Sequence, residues 1–180
     1  MGEMLADRGF GDIIRHDEED VFDNEIGGVL MEGTGGGKRC IVMLQKGKIG
    51  VKNLREIEEQ RVDGVSLIIV TTEKPTPPAQ RHLQGADVVK WCSVFVTSEV
   101  IRNVTRHHLV PRHTRVDPAH LPSLLERWRE KDTSHLSLIL VTDPVAKYLG
   151  LKDGEVVHVN GPDGTQTSQF NYRRAVCASF

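Results

Sequence analysis

The sequence lacks the features that mark secreted, membrane-spanning and zinc-stabilised proteins. Its 180 residues include only 3 cysteines, which form no C-x-x-C pair, so a disulfide framework or a zinc ribbon is excluded. The longest apolar runs, residues 67–70 and 136–141, are far shorter than the roughly 20 residues that cross a bilayer. Asp7, Arg8 and Asp12 interrupt the N-terminal region, which argues against a signal peptide. We therefore expect no membrane association and reduced thiols.

Charge of one sign is not in excess either, since 23 basic residues stand against 25 acidic ones and the net charge is −2. A free-standing protein that binds nucleic acid tightly is usually strongly basic, so that class is disfavoured. A weak contact inside a larger assembly remains compatible with this balance. The acidic cluster at residues 17–20 is interpreted as solvated surface, with a binding tail as the alternative.

Motifs for phosphate binding and acyl transfer are incomplete or missing. Residues 33–38 are rich in glycine and end in lysine. However, Glu32 and Arg39 stand where a phosphate-binding loop needs a glycine and a hydroxyl residue. We interpret the segment as a flexible loop. The chain also has no G-x-S-x-G nucleophile elbow.

The histidine cluster is the remaining candidate for chemistry. His107, His108 and His113 have no nearby carboxylate or thiol at the spacing of a zinc site. Adjacent histidines on an extended chain point to opposite faces, so only one of the first two could converge with His113. We predict no catalytic residue, no metal and no cofactor. The competing hypothesis is a small metal-dependent phosphodiesterase that uses these three histidines, and a third is a stand-alone DNA-binding module.

The first half of the chain has the pattern of a small α/β unit. Residues 40–44 and 65–70 are apolar and rich in β-branched side chains, which predicts two buried strands. Apolar residues at helical spacing predict a helix over 51–61 between them. Three prolines within residues 75–79 predict a stiff, exposed turn. Residues 86–104 predict one or two extended stretches, part of which could be helical.

The second half predicts short strands and capped helices. Asp117 and Pro118 predict the start of a helix whose apolar stripe runs from Leu121 to Trp128. Asp143 predicts a second helix start, and Gly150 its left-handed end. The predicted strands and turns are strands at 136–141, 155–159 and 172–176, and turns at 152–154 and 161–164.

Two long motifs carry a resemblance to a known family. Residues 107–113 have the pattern H-x-L-V-P-x-H, and residues 143–157 the pattern D-P-V-A-x-Y-x-G-L-x-x-G-E-V-V. Together they closely resemble the C-terminal assembly domain of the fifth subunit shared by eukaryotic nuclear RNA polymerases, a domain that also forms a small archaeal RNA polymerase subunit by itself. The first half is similar to the jaw domain of that family, in which residues 76–79 correspond to a T-P-S-A turn that approaches downstream DNA. The R-x-S-E-T-x-G segment of the family is absent, because residues 161–167 are GPDGTQT.

The resemblance implies an α/β (α+β) fold in two domains. Residues 1–104 would form a reduced jaw domain with a small mixed sheet, a truncated N-terminal helix and an acidic, glycine-rich loop at 17–38. Residues 105–180 would form a small α+β assembly domain. The protein would be a non-catalytic subunit of DNA-directed RNA polymerase in the nucleus, or in the nucleolus if it belongs to RNA polymerase I.

The implied partners are the largest polymerase subunit, other polymerase subunits and downstream duplex DNA, which would be bound weakly and without sequence preference. A stiff proline segment flanked by positive charge loses little entropy on contact with a phosphate backbone, although ordinary solvated charges are the alternative. The residues implied in DNA binding are Lys74, Thr76, Pro77, Pro78, Ala79 and Arg81. Those implied in partner binding or in the domain core are His107, Leu109, Val110, Pro111, His113, Asp143, Pro144, Tyr148, Gly150, Tyr172 and Arg173.

Overall fold

Two β-sheets organise the chain, one in each of two structural units, Met1–Arg102 and Asn103–Phe180. The computed structural model describes residues 1–16, 28–35, 37–160 and 171–177. The acidic cluster at 17–20 and the divergent segment at 161–167 lie outside these residues, so both interpretations stay predictions. Within the described ranges, no helix is long and apolar enough to cross a membrane.

The first unit is built on a five-stranded sheet with the strand order β1-β2-β3-β4-β5. Its elements are α1 (Gly2–Asp7), β1 (Asp12–Arg15), β2 (Gly28–Gly35), β3 (Lys38–Gln45), α2 (Val51–Glu59), β4 (Val65–Thr71), α3 (Pro77–Leu83), α4 (Ala86–Val89), β5 (Cys92–Val96) and α5 (Thr97–Val100). Strands β3, β4 and β5 pair in parallel, whereas β1 and β2 are antiparallel. The crossover of α2 between two parallel strands confirms the predicted α/β unit.

Strand β4 lies between β3 and β5 in this sheet and is buried on both faces. Leu67 and Ile69 belong to the hydrophobic cluster that also includes Leu54 and Ile57 of α2. Ile68, which points to the opposite face, is also fully buried. A strand covered on both sides needs a continuous apolar run rather than an alternating one, which is why the sequence pattern identified it correctly.

The glycine-rich segment is not a flexible loop. Strand β2 extends to Gly35, and β3 begins at Lys38 as its antiparallel neighbour. The expectation of a loop over 17–38 is therefore wrong for residues 28–35 and 38, whereas Gly37 lies in the turn between the two strands. The glycines are needed for packing. A Cβ atom on Gly35 would collide with the carbonyl oxygen of Gly9, and one on Gly33 would lie 3.0 Å from Cβ of Phe10. The chain after α1 therefore lies directly against this strand.

The prediction for residues 86–104 is confirmed. This segment contains one strand, β5, flanked by the short helices α4 and α5. Cys40 and Cys92 are buried free thiols. Burial raises the pKa of Cys40 to about 11 and that of Cys92 to about 12, so neither is a reactive thiolate near neutral pH.

The second unit has a four-stranded sheet with the order β6-β8-β9-β7. Its elements are a 3-10 turn (Val104–Arg106), β6 (Arg112–Arg115), α6 (Leu121–Trp128), β7 (Ser137–Leu140), α7 (Pro144–Leu149), β8 (Val156–Asn160) and β9 (Tyr172–Val176). Val157 and Ala175 are fully buried at its centre. Both sheets together confirm the predicted mixed α and β architecture.

Helix α6 starts later than the sequence predicts. The carboxylate of Asp117 accepts the backbone N–H of Ala119 (2.9 Å) and closes a turn instead of capping a helix. The helix begins at Leu121, so a proline in its first turn is Pro122 rather than Pro118. Asp117 and Pro118 correctly indicate a turn. The helix begins one turn later because Pro122 is equally compatible with a position in the first turn of a helix.

We predict that Gly35→Ala destabilises the first unit by about 1–3 kcal/mol, because the added methyl group meets backbone atoms that cannot rotate away. The measurement is urea unfolding followed by circular dichroism. Gly11→Ala is the matched control, since nothing lies within 4 Å of its Cβ position. Equal stability of the two variants would contradict this packing account.

Candidate DNA-facing and partner-binding surfaces

The proline-rich segment after β4 is the start of a helix and not an exposed turn. Thr76 is the N-cap of α3, and its Oγ1 accepts the backbone N–H of Ala79 (3.4 Å). Pro77 and Pro78 occupy the first turn, where a missing N–H costs nothing. The two prolines are exposed, whereas Ala79 is fully buried. The predicted role of Ala79 in DNA binding is therefore corrected, because its side chain is part of the hydrophobic core.

Hydrogen bonds hold this segment in place. The backbone N–H of Gly47 donates to Oγ1 of Thr72 (2.9 Å), and the N–H of Thr76 donates to the carbonyl oxygen of Ile49 (3.0 Å). Strands β3 and β4 are parallel, so the loops that follow them lie side by side at one edge of the sheet. The segment is thus positioned before any ligand arrives.

Basic residues precede and follow the exposed prolines along the chain. Lys74 and Arg81, both singled out from the sequence, are exposed. The loop after β3 adds Lys46 and Lys48, which are both exposed. Nζ of Lys48 lies 3.9 Å from a carboxylate oxygen of Glu73. Sequence reasoning missed these two lysines, and the parallel pairing of the preceding strands was the signal that could have found them. The surface can make unspecific contacts with phosphate groups.

The histidine cluster forms an ordered turn and not a metal site. The rings of His107 and His108 stack with their centroids 4.7 Å apart, so the prediction that they point to opposite faces is wrong. The chain turns here instead of running extended, because Nδ1 of His107 accepts the N–H of Leu109 (3.2 Å). Nδ1 of His113 donates to the carbonyl oxygen of Pro111 (2.7 Å). Across the described residues, which include all three histidines, no metal-binding group is present.

The same turn presents an apolar side chain to solvent. Leu109 is 76% exposed, although its backbone is held by the bond to His107. Val110 and His113 are half-buried, and Pro111 is exposed. An exposed leucine on an ordered turn is suited to contact with another protein, because its conformation is already fixed.

The second motif is mostly structural. Oδ1 of Asp143 caps α7 by accepting the N–H groups of Val145 (2.9 Å) and Ala146 (3.4 Å), and Pro144 occupies the first turn. Gly150 ends the helix with φ at 64°, a conformation that favours glycine. The predicted helix start and end are confirmed.

Two aromatic residues complete the interior of this unit. Tyr148 is only 5% exposed, and its hydroxyl accepts a hydrogen bond from Nδ2 of Asn103 (2.8 Å). Tyr172 is half-buried, with its ring edge-on to Trp128 at 4.6 Å. Arg173, the next residue of β9, is exposed. The residues that the resemblance implies in partner binding or in the domain core therefore divide into a buried set and an exposed set.

Comparison with known proteins places the chain in a family. The family described as RNA polymerase Rpb5, C-terminal domain, matches residues 102–175, which begin one residue before the second structural unit. The chain is also 32% identical over 133 residues to DNA-directed RNA polymerases I, II, and III subunit rpabc1 of Dictyostelium discoideum, covering 72% of this chain and 67% of that protein. The chain belongs to the RNA polymerase Rpb5 family. This confirms the resemblance carried by the two motifs.

Other relatives of the Rpb5 family match over a smaller share of their length. RPABC1 of Caenorhabditis elegans is 32% identical over 131 residues, which is 72% of this chain and 62% of that protein. DNA-directed RNA polymerase subunit 5-like protein 1 of Arabidopsis thaliana is 36% identical over 109 residues, 61% of this chain and 51% of that protein. The chain thus spans between about half and three fifths of these relatives.

We predict that Asp143→Ala lowers the unfolding free energy of the second unit by about 1 kcal/mol, because two N–H groups at the start of α7 lose their acceptor. Differential scanning calorimetry should show the corresponding drop in Tm. Asp143→Asn keeps an acceptor at the same position and should unfold close to the original temperature. If the two substitutions lowered the Tm equally, loss of the helix cap would not be the cause of the lower stability.

Proposed function

We propose that this chain is a non-catalytic subunit of a nuclear DNA-directed RNA polymerase. The second unit docks on the largest subunit and brings the chain into contact with other polymerase subunits. The first unit acts as a jaw and contacts downstream duplex DNA. Nucleotidyl transfer, with its metal ions, takes place in neighbouring subunits. The match of the Rpb5 family over residues 102–175 carries this proposal, because it covers the unit that would make the assembly contact.

The docking surface is proposed from the exposed residues among those that the resemblance implies in partner binding or in the domain core. Leu109 and Pro111 are exposed on a turn that hydrogen bonds hold in place, and Arg173 is exposed on β9. A leucine that is 76% exposed gains apolar burial when a partner covers it. Tyr148, Asp143 and Gly150 support the shape of this unit from within, as described above.

We predict that Leu109→Ser reduces the amount of largest subunit that co-purifies with the tagged chain by about tenfold, because a serine cannot replace the apolar area that leucine buries against the partner. Thermal stability of the free chain should not change, since this side chain is exposed. Ile101→Ser removes an apolar side chain that is 77% exposed and serves as the control. Undiminished co-purification of the Leu109 variant would remove this residue from the interface.

The DNA contact is proposed for the start of α3 and the charges around it. The exposed prolines are held by the cap of Thr76, and Lys74 and Arg81 add positive charge on either side. Each lysine or arginine that neutralises a phosphate releases counterions, so the contact is independent of base sequence and weakens with salt. Such a contact is compatible with DNA that moves past the protein.

We predict that Lys74→Gln with Arg81→Gln weakens crosslinking of the chain to downstream DNA in the assembled polymerase. The slope of log K for DNA binding against log salt concentration should become shallower by about 1 for each phosphate group that is no longer neutralised. Glutamine is chosen because replacing residues 76–79 would also remove Ala79 from the core. Lys52→Gln changes a lysine on α2 whose side chain is 91% exposed, and it should have no effect. If the double variant behaved like this control, both charges would be ordinary solvated groups.

A further inference from the structure

The two edges of the second sheet differ in chemistry. One edge is β6, whose sequence Arg-His-Thr-Arg places charged side chains along it. The other edge is β7, whose sequence Ser-Leu-Ile-Leu has no charge. Proteins protect edge strands from unwanted pairing with charged side chains, prolines or bulges. Strand β6 has such protection and β7 does not.

The apolar side chains of β7 are exposed on one face. Leu138 is 56% exposed and Leu140 is 48% exposed, whereas Ile139 between them is 5% exposed on the opposite face. Leu138 stands opposite Arg174 of β9, and Leu140 stands opposite Val176. This face therefore presents two exposed leucines beside the edge of the sheet.

The backbone of β7 also has groups directed away from the sheet. The N–H of Val141 donates to the carbonyl oxygen of Val176 (3.0 Å), and in a parallel pair alternate residues bond to the same neighbour. Ile139 therefore pairs with β9, while the N–H and C=O of Leu138 and the N–H of Leu140 point outward. The carbonyl of Leu140 accepts the N–H of Asp143 (2.9 Å). Within the described part of the chain, no strand pairs with this edge.

We propose that β7 accepts an extended segment of the polymerase subunit on which this unit docks, so that the sheet gains a fifth strand. This inference rests on the proposed function. Only an extended chain can pair with the outward N–H and C=O groups in register, whereas a helix would leave them without partners. On the exposed face the segment carries apolar residues against Leu138 and Leu140.

The size of the edge favours a partner that also binds elsewhere on this unit. Strand β7 has four residues, a length of roughly 13 Å. Pairing along such a short edge buries much less than the about 1,200 Å² that a stable interface needs, so two copies joined only at β7 would not stay together. A subunit that already covers the Leu109 turn supplies the remaining area.

Hydrogen–deuterium exchange tests the pairing directly in the assembled polymerase. We expect the backbone amides of Leu138 and Leu140 to exchange at least tenfold more slowly in the complex than in the free chain. The amide of Arg115, which points outward on the β6 edge because Val116 donates to the carbonyl of Val156, should change little and is the internal control. Unchanged exchange at both leucines in a complex that retains this chain would overturn the inference and leave the proposed function standing.

Charged substitutions at the two edges provide a second test. Leu138→Lys should lower recovery of the partner subunit at least tenfold, because a lysine cannot lie against an apolar strand without losing water. Thr114→Lys places the same charge on an exposed position of β6 and should leave recovery unchanged. Both variants should keep the Tm of the free chain. Equal recovery with the two variants would count against pairing at β7.

Two further outcomes separate the possible causes of failure. If light scattering showed the free chain to be a dimer whose Leu138 and Leu140 amides are already protected, a second copy would be the occupant and the inference would be wrong. If the unmodified chain were recovered without any polymerase subunit, the proposed function would fail, and the docking partner with it. Protection that appears only in the complex supports the inference alone.

Discussion

The burial of strand β4 on both faces is the constraint on which the first unit depends. Its parallel pairing with β3 and β5 brings the ends of three strands to one edge of the sheet. At that edge Oγ1 of the buried Thr71 donates to the carbonyl oxygen of Glu73 (2.8 Å), which turns the chain directly after the strand. The start of α3 follows from this turn. The exposed prolines are therefore positioned by a hydrophobic core several residues away, and not by local stiffness alone.

The second unit has fewer residues and a smaller interior than the first. Helix α7 and the sheet bury Val157, Ala175 and Tyr148, but the apolar stripe of α6 is only half-buried. A unit of this size has little interior, and apolar side chains that cannot be buried inside remain available for contacts outside. Exposed Leu109, Leu138 and Leu140 belong to this group. In the proposed assembly their burial is completed by another chain.

The sequence predicts elements well where burial or a cap determines them locally. Strands β3 and β4 were correct because continuous apolar runs between turn residues leave few alternatives. The helix from Asp143 to Gly150 was correct because both ends carry a strong local signal. The start of α3 was missed although Thr76 and Pro77 carry the same kind of signal as Asp143 and Pro144. The prediction of an exposed turn rests on the number of prolines, whereas their positions directly after Thr76 indicate the start of a helix.

Features of the site that depend on packing between distant residues could not be predicted. Nothing local indicates that Gly35 must lie against Gly9, which is why a strand resembled a flexible loop. The stacking of His107 and His108 follows from a turn whose hydrogen bond involves a backbone group and one ring nitrogen, and single-sequence patterns do not reveal such a bond. Exposure of Leu109 likewise emerges only from the folded unit. The motif identified the segment, and the structure separated its supporting residues from its accessible ones.

The balance of charge is consistent with the proposed role of the first unit as a jaw that holds DNA loosely. The whole chain has a net charge of −2, yet the edge beside α3 gathers Lys46, Lys48 and Lys74 on two adjacent loops. A few such charges give a weak, salt-sensitive attraction when the chain is alone. In the proposed assembly, anchoring of the second unit would raise the effective local concentration of duplex DNA, so that weak contacts would suffice. A strongly basic jaw would add affinity but would also resist the movement of DNA, so in the proposed role a neutral protein with one basic edge is the better solution.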